Sequence, residues 1–190
     1  MKAASSPPRI IMGIDPGTII TGYGLIKCQG KKMEMLACGS LQLGKSKEDH
    51  PTRLKRLFAR VSSLIEEFQP QEVALEAPFY GKNPQSMLKL GRAQGVAMAA
   101  ALTFDLPVFE YAPRKVKMAI TGRGASSKEQ VALMLQKLLK FEEFPHLLDA
   151  TDGLAVAVCH FFQGKLASEG KRHKNWASFL KDHPDRIKKP

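Results

Sequence analysis

Ile11-Met-Gly-Ile-Asp15-Pro-Gly-Thr18-Ile-Ile-Thr-Gly22-Tyr-Gly24 joins an apolar run to a turn rich in glycine. The apolar residues before Asp15 predict a buried strand, and Pro16-Gly17 predicts a tight turn directly after it. Ligands of open α/β sheets bind at the carboxyl ends of strands, so Asp15 is placed to hold a cation or face a phosphate. The residues equally allow Asp15 to cap the turn through its own following backbone.

Further elements follow at regular intervals on both sides of this strand. An apolar pattern with a helical period and proline boundaries predicts helices, and short apolar runs between turn residues predict strands. The predicted strands are 9–15, 22–29, 33–42, 72–76 and 107–111, with a hairpin turn at 30–32. The predicted helices are 51–69, 83–104, 113–121, 126–140 and 148–163. This order predicts an α/β domain with layers of helices on a mixed sheet.

Two helices carry local signals of their own. Apolar residues at helical spacing predict the buried face of the helix 51–69: Leu54, Leu57, Phe58, Val61, Leu64, Ile65 and Phe68. Ser126 and Glu129 have the spacing of a capping box, which predicts the start of the helix that runs to about residue 140.

The charge balance indicates a polyanionic partner. Lys and Arg number 29 against 18 acids, so the net charge is +11 and the pI is about 9.7. Such an excess favours nucleic acid first and an anionic membrane surface second, with a solubilising surface charge as the plain alternative. The three cysteines are too few and too scattered for a zinc site or a disulfide framework. Without an uncharged run near the roughly 20 residues of a membrane span, we expect a soluble, cytoplasmic protein.

Three later acids stand in apolar settings like that of Asp15. Glu76 ends the predicted strand 72–76, although an exposed strand end would explain it as well. Asp149 and Asp152 share one face of the helix 148–163, where a first-turn Asp is also an ordinary response to the helix dipole. That helix is almost wholly apolar and therefore buried. Buried carboxylates repel one another and raise each other's pKa, a conflict that a divalent cation removes.

The chemistry of these four acids indicates a metal-dependent nuclease. Oxygen ligands without a His/Cys cluster favour Mg²⁺ or Mn²⁺ over zinc. Four acids suffice for two ions about 3.5–4 Å apart, which can activate water on one side of a phosphate and stabilise the leaving oxygen on the other. In a basic protein, this arrangement predicts hydrolysis of nucleic acid.

With these residues assembled, the chain resembles the RuvC family, the bacterial Holliday-junction resolvases of the ribonuclease H-like superfamily. The motifs that carry the resemblance appear in family order over about residues 9–163: Gly13-Ile-Asp15-Pro-Gly-Thr18, Ala74-Leu-Glu76 with Phe79, Leu88-Lys-Leu-Gly91-Arg-Ala-Gln-Gly95, Phe109-Glu-Tyr111 and Asp149-Ala-Thr-Asp152-Gly-Leu-Ala. Taken together they are specific, whereas the first alone is not.

The resemblance implies roles for named residues. Asp15, Glu76, Asp149 and Asp152 match the family's acids, which bind two Mg²⁺ ions per subunit, with Mn²⁺ as a possible substitute. Lys117 and Lys128 match its site lysines, which would meet the scissile phosphate; a solvated face is the plain alternative. Predicted DNA contacts are Phe79, Lys117, Lys128 and Arg123. Phe79 would stack on an unpaired base, unless it packs in the core behind Glu76.

The resemblance also implies architecture and partners. It implies a ribonuclease H-like three-layer fold with a five-stranded mixed sheet flanked by helices. Residues 1–8 would form a disordered lead-in, 9–163 the nuclease domain and 164–190 a basic tail. A homodimer, using the helix 83–104, would cut two strands of like polarity in a four-way DNA junction, in recombination and DNA repair. RuvA and RuvB, the family's branch-migration complex, are implied as partners.

Other protein classes share part of this sequence pattern. The Asp15 segment also resembles the first phosphate loop of actin-like and sugar-kinase ATPases, but the chain has no second such loop. Another ribonuclease H-like nuclease, or a relative that binds junctions without cutting them, would share much of the sequence pattern. His160 is interpreted as a helix residue at the edge of the core rather than as a catalytic base.

Overall fold

The computed structural model describes residues 7–44, 48–78, 83–141 and 148–169. Within these ranges it contains five strands and five helices. The strands are β1 (Arg9–Asp15), β2 (Ile20–Gln29), β3 (Lys32–Gln42), β4 (Glu72–Glu76) and β5 (Val108–Tyr111). The helices are α1 (His50–Phe68), α2 (Pro84–Leu102), α3 (Pro113–Thr121), α4 (Lys128–Leu139) and α5 (Leu148–Glu169).

The five strands form one mixed sheet in the order β3-β2-β1-β4-β5. The β1–β2 and β2–β3 pairs are antiparallel, whereas β1–β4 and β4–β5 are parallel. Ile14 pairs with Leu75, and Glu76 pairs with Tyr111, so the carboxyl ends of β1, β4 and β5 lie side by side. The predicted five-stranded mixed sheet is therefore confirmed.

Helices cover both faces of this sheet, as the three-layer prediction requires. Successive strand residues point to opposite faces. Met12 and Ile14 pack with the core under α1 and α2, whereas Ile11 packs with the core under α3, α4 and α5. The β4 residues Val73 and Ala74 divide in the same way. By this alternation Asp15 and Glu76 fall on the α5 face of the sheet.

The α5 helix lies directly on the backbone of β1 and β2. A Cβ built on Gly13 would lie 2.2 Å from the Gly153 carbonyl oxygen, and one on Gly24 would lie 2.4 Å from Leu154 Cα. A Cβ on Gly153 would lie 2.4 Å from Tyr23 Cα. Only glycine fits at these three positions, so their sequence spacing sets how α5 sits on the sheet.

Several element boundaries differ from the predicted ones. β2 begins at Ile20 rather than 22, because Ile20 and Thr21 continue the ladder with β3. Gln29 pairs with Lys32, so the hairpin turn contains Gly30 and Lys31 alone, with Gly30 at φ 58°. α5 continues to Glu169, past the predicted end at 163. Phe58, predicted on the buried face of α1, is exposed.

The capping box prediction was wrong by one residue. Ser127 is the N-cap of α4, and its side chain and that of Gln130 exchange bonds with each other's backbone N–H. The Ser126 hydroxyl instead lies 2.8 Å from Thr121 Oγ1 and donates to the Arg123 carbonyl. Ser126 is buried by these loop contacts and is not free to cap the helix.

Some predictions concern parts of the chain that the structure does not describe. Residues 1–6 of the predicted lead-in and 170–190 of the predicted tail lie outside the described residues, as does Phe79. No helix of the described part of the chain is long and apolar enough to cross a membrane.

Candidate active site

Asp15 and Glu76 lie at the carboxyl ends of the adjacent parallel strands β1 and β4. Each ends a strand whose preceding residues are buried apolar side chains. This brings two acids that are 61 positions apart in the chain to one edge of the sheet. The sequence-based prediction that they share a site is consistent with this placement.

The other two acids enter the same edge from α5. Asp149 lies in its first turn, and Asp152 follows three residues later. Lys128, the first residue of α4, joins them. Its Nζ donates to Asp149 Oδ1 at 3.2 Å and also to Asp152 Oδ2. The start of α4 thus places the Lys128 ammonium group beside two acids from the start of α5.

A cavity of about 180 Å³ lies between these elements. Asp15, Glu76 and Asp152 line it together with Lys117 and Lys128. Asp149 lies beside it, connected through Lys128. The structure therefore gathers three of the four predicted acids and both predicted lysines around one space, with the fourth acid at its margin.

Burial and mutual repulsion raise the pKa values of Asp15, Glu76 and Asp152. Burial, assisted by the charge of Asp152, raises the pKa of Asp15 to about 6. Burial, with the charges of Asp15 and Asp152, raises the pKa of Glu76 to about 8, although Lys128 and Lys117 act against this. Burial also raises the pKa of Asp152 despite its bond to Lys128.

Lys128 shows the reciprocal effect. Partial burial disfavours its charged form, but its hydrogen bonds with Asp152 and Asp149 and their negative charges outweigh burial and raise its pKa above the ordinary value. The ammonium group is therefore held as a cation between two carboxylates.

The donor set fits a hard divalent cation. Within the described residues, no three His, Cys, Asp or Glu side chains lie close enough together to hold a metal ion. Lys128 occupies the space between Asp149 and Asp152, where its positive charge stands in for an ion. All four candidate ligands are carboxylates, the class that Mg²⁺ and Mn²⁺ prefer. The raised pKa values of Asp15, Glu76 and Asp152 reflect burial and a deficit of positive charge that a bound cation would offset.

Arg123 does not join this group. It is exposed in the loop after α3 and lines a separate cavity of about 410 Å³ with Ser126 and Lys137. Phe79, the other predicted DNA contact away from the lysines, lies outside the described residues. Both therefore stay predictions.

His160 is buried in α5 outside the lining of this cavity, and its ring bonds residues of two strands, β4 and β5. Its Nε2 lies 2.9 Å from Glu72 Oε2, and its Nδ1 lies 2.7 Å from the Tyr111 hydroxyl. Glu72 also accepts from Arg9 at 3.0 Å. Because an ionised carboxylate only accepts, Nε2 donates to Glu72 and Nδ1 accepts from Tyr111. Burial lowers the pKa of His160, although Glu72 opposes this shift. The interpretation of His160 as a packed helix residue agrees with these contacts.

Comparison with known proteins adds an independent observation. The family model described as crossover junction endodeoxyribonuclease RuvC matches residues 11–160. The chain belongs to the RuvC family. The match includes both strand-end acids and the start of α5, so it favours the nuclease interpretation of the Asp15 segment over the ATPase one.

Individual RuvC relatives match nearly the whole chain. Crossover junction endodeoxyribonuclease RuvC of Porphyromonas gingivalis is 56% identical, with 97% of this chain and 100% of the relative covered. That of Christiangramia forsetii is 54% identical, with 98% and 97% covered. The solved structure of Thermus thermophilus RuvC in complex with a Holliday junction substrate aligns with a TM-score of 0.77 at 33% identity, covering 84% of this chain and 97% of that one.

One residue of the site was assigned no role from sequence. Gln94, quoted above within a RuvC motif, is buried on α2 and lines a second cavity beside Asp15 and Glu76. The sequence did contain a sign of a special role for Gln94, because this polar residue stands in an otherwise small and apolar stretch of α2. The sequence could not show which neighbour its amide meets.

Proposed function

We propose that this protein is a structure-specific endonuclease that cuts four-way DNA junctions by metal-dependent hydrolysis of phosphodiester bonds. The observation that carries the proposal is the cavity at the carboxyl edge of the sheet, where Asp15, Glu76 and Asp152 meet Lys117 and Lys128 in a chain of the RuvC family. The net charge of +11 supports a polyanionic substrate.

Asp15, Glu76, Asp149 and Asp152 are the residues that would hold Mg²⁺, as two ions per subunit, or Mn²⁺ in its place. When bound, such ions supply Lewis-acid stabilisation of the charge that develops on the phosphate and help to activate water. The apolar neighbours Val116, Val131 and Ala155 restrict access of bulk water to the acids, which strengthens every charge interaction inside the cavity.

The two lysines have different parts in this proposal. Lys117 adds positive charge to the cavity wall and suits the non-bridging oxygens of the substrate phosphate. Lys128 keeps Asp149 and Asp152 together while no other cation is between them. It is then free to turn toward the substrate phosphate once those acids have another positive partner.

Comparison of three substrates tests the function. Equal amounts of a synthetic four-way junction, a linear duplex of the same sequence and an RNA–DNA hybrid are incubated with the protein and Mg²⁺. We expect cutting of the junction at least about 100-fold faster than of the other two, a ratio that corresponds to about 2.7 kcal/mol. Preferred cutting of the hybrid would indicate a different ribonuclease H-like nuclease.

Dimer formation through α2 is part of the proposal. One side of α2 presents exposed apolar and small residues at helical spacing: Leu88, Gly91, Gly95, Ala99 and Leu102. Leu88 and Leu102 are 64% and 55% exposed, which is unusual for leucine. Space for another helix is present, because nothing lies within 4 Å of a Cβ built on Gly91 or Gly95. Two such stripes could pack closely about a two-fold axis.

Gly95→Arg is expected to convert the dimer to monomers. A charged side chain in the centre of a close helix contact leaves a desolvated charge without a partner, so the dimer dissociation constant should rise at least about 100-fold. Sedimentation equilibrium measures it. Arg92→Gln on the same helix is the control, because it removes one exposed charge and adds no bulk. A dimer that survives Gly95→Arg unchanged would contradict an interface on α2.

The remaining expectations extend this proposal. A dimer would place two sites for paired nicks in strands of like polarity, in recombination and DNA repair in the cytoplasm. RuvA and RuvB would act as partners. Residues 9–163 would form the nuclease domain between the lead-in 1–8 and the basic tail 164–190. Phe79 and Arg123 would contribute DNA contacts beyond the cavity.

A further inference from the structure

A second cavity lies on the other side of Asp15 and Glu76. Its volume is about 190 Å³, and both acids line it as they line the first. The remaining lining residues come from the β1–β2 turn, the segment after β4, and the helices α2 and α3. The two acids therefore form a partition between two spaces at the edge of the sheet.

The two spaces differ in charge. Lys117 and Lys128 line the first cavity, whereas the lining of the second contains no lysine or arginine among the described residues. Apart from the two acids and Gln94, its lining is apolar and includes three prolines: Pro16, Ala77, Pro78, Leu90 and Pro113. The first cavity suits a phosphate, and the second suits an uncharged, planar group. A water molecule accounts for about 30 Å³ of liquid, so 190 Å³ has room for an organic ring.

Gln94 is the neutral polar side chain in this second lining. It is only 8% exposed. Its Nε2 donates to Glu110 Oε1 on β5. An ionised carboxylate only accepts, so this bond fixes which end of the amide is the nitrogen. The carbonyl oxygen of Gln94 is then the end left to accept from a ligand.

Glu110 acts on Gln94 because of its place on the strand. Tyr111, the next residue along β5, contacts His160 on the α5 side, so Glu110 points to the α2 side, where Gln94 lies. Glu110 is exposed and Gln94 is buried. The surface carboxylate of Glu110 therefore fixes the orientation of the buried Gln94 amide.

We propose that the second cavity takes the nucleobase next to the scissile phosphate, and that Gln94 Oε1 accepts a hydrogen bond from an N–H group on that base. The inference rests on the proposed function, because it needs a phosphodiester at Asp15 and Glu76. A phosphate held there has a nucleoside on each side, and the apolar cavity begins at the same two carboxylates. Contact with apolar walls holds any base, whereas the amide selects among base edges. Gln94 is thus a residue that determines cleavage-site preference.

The test uses a junction library with randomised base pairs around the cutting point, sequenced after cleavage. Gln94→Leu removes the acceptor at similar size. Gln85→Leu, an exposed glutamine in the first turn of the same helix, is the matched control. We expect wild type and Gln85→Leu to share a preference at one position next to the cut. Gln94→Leu should lose about 10-fold of that discrimination.

Glu110→Gln supplies a second measurement. With an amide in place of the carboxylate, the Gln94 amide has a hydrogen-bond partner in either orientation, so the base preference at the same position should broaden. Gln94→Met covers the case in which the leucine variant folds poorly, and a thermal melt identifies that case.

Two results would overturn the inference. One is a Gln94→Leu enzyme, or Gln94→Met where needed, that keeps the wild-type preference. The other is an equal decrease in cutting of every sequence, which would indicate a packing role for Gln94. If wild type cuts no junction at all, the proposed function fails together with the inference; if wild type cuts and only the Gln94 result fails, the function stands.

Discussion

Asp15→Asn is expected to abolish nicking of a four-way junction while leaving junction binding intact. Asn keeps the shape of the side chain but removes the charge that borders both cavities. Lewis-acid stabilisation is worth several kcal/mol, and each 1.36 kcal/mol changes a rate tenfold. We therefore expect the rate of nicking to fall at least about 1,000-fold, measured with saturating protein and Mg²⁺.

A measurement of thermal stability distinguishes a loss of catalysis in Asp15→Asn from misfolding. Burial and the charge of Asp152 raise the pKa of Asp15 to about 6, which means that the ionised carboxylate destabilises the metal-free fold. The fold binds the Asp15 proton more tightly than the unfolded chain does. The resulting stabilisation is fully present below the unfolded pKa near 3.8 and is lost as pH rises through the folded pKa of about 6. At pH 7.5 without metal, Asp15→Asn should therefore melt at or above the wild-type temperature.

Asp105→Asn is the matched control for this experiment. Asp105 is exposed in the loop before β5, at φ 55°, a conformation that Asn adopts readily. Its substitution removes the same charge from the protein far from the carboxyl edge of the sheet, and its rate should equal that of wild type. Nicking by Asp15→Asn at the wild-type rate would show that the acids have been assigned to the wrong chemistry.

Gly153→Ala is expected to destabilise the protein by roughly 2–4 kcal/mol, at the upper end of what overpacking costs. A Cβ there would lie 2.4 Å from Tyr23 Cα and 2.6 Å from the Tyr23 nitrogen. Both are backbone atoms of a central strand and cannot turn aside as a side chain can. In an exposed helix, alanine would instead gain about 1 kcal/mol over glycine. For Gly153→Ala to destabilise the protein, the steric cost of the Cβ has to exceed this gain in helix propensity.

Gly164→Ala makes the same substitution in the same helix. Its nearest neighbour is the tip of the Arg9 side chain, 3.1 Å from the built Cβ, and a guanidinium group can move. We expect unchanged stability or a gain of up to about 1 kcal/mol. Urea denaturation of both variants measures the difference. Equal stabilities would contradict the direct contact of α5 with the sheet.

Activity should follow the same pair of variants. Gly153 is adjacent to Asp152, so a shift of α5 away from β2 moves a candidate metal ligand relative to Asp15 and Glu76. Gly153→Ala should therefore lose nicking even under conditions where it is folded, and Gly164→Ala should not.

The individual elements could be predicted because their causes are local. A short continuous apolar run from Ile10 to Ile14, followed by turn residues, predicted a buried strand. Proline at the starts of α1 and α3 predicted where these two helices begin. Four isolated acids in apolar settings indicated a common site, because buried carboxylates require a shared explanation.

Contacts between elements could not be predicted in the same way. Ser126 satisfied the spacing of a capping box, yet its hydroxyl bonds Thr121 and Arg123, and Ser127 caps the helix. Arg123, which stays a predicted DNA contact, lines a cavity separate from that of Lys117 and Lys128. In both cases several partners were compatible with the sequence, and the packing of the loop after α3 selected one.

By itself, the sequence determined which residues are charged, which apolar segments form strands and helices, and which four acids stand in apolar settings. The tertiary structure alone decided that α5 rests on glycine backbone, that Lys128 bridges two acids, and that Glu110 orients Gln94. Alternation and helical period are properties of a single chain segment, so a sequence encodes them directly. Contacts between residues 16 or more positions apart depend on how closely whole elements approach, and that distance is set by the packing of the entire core.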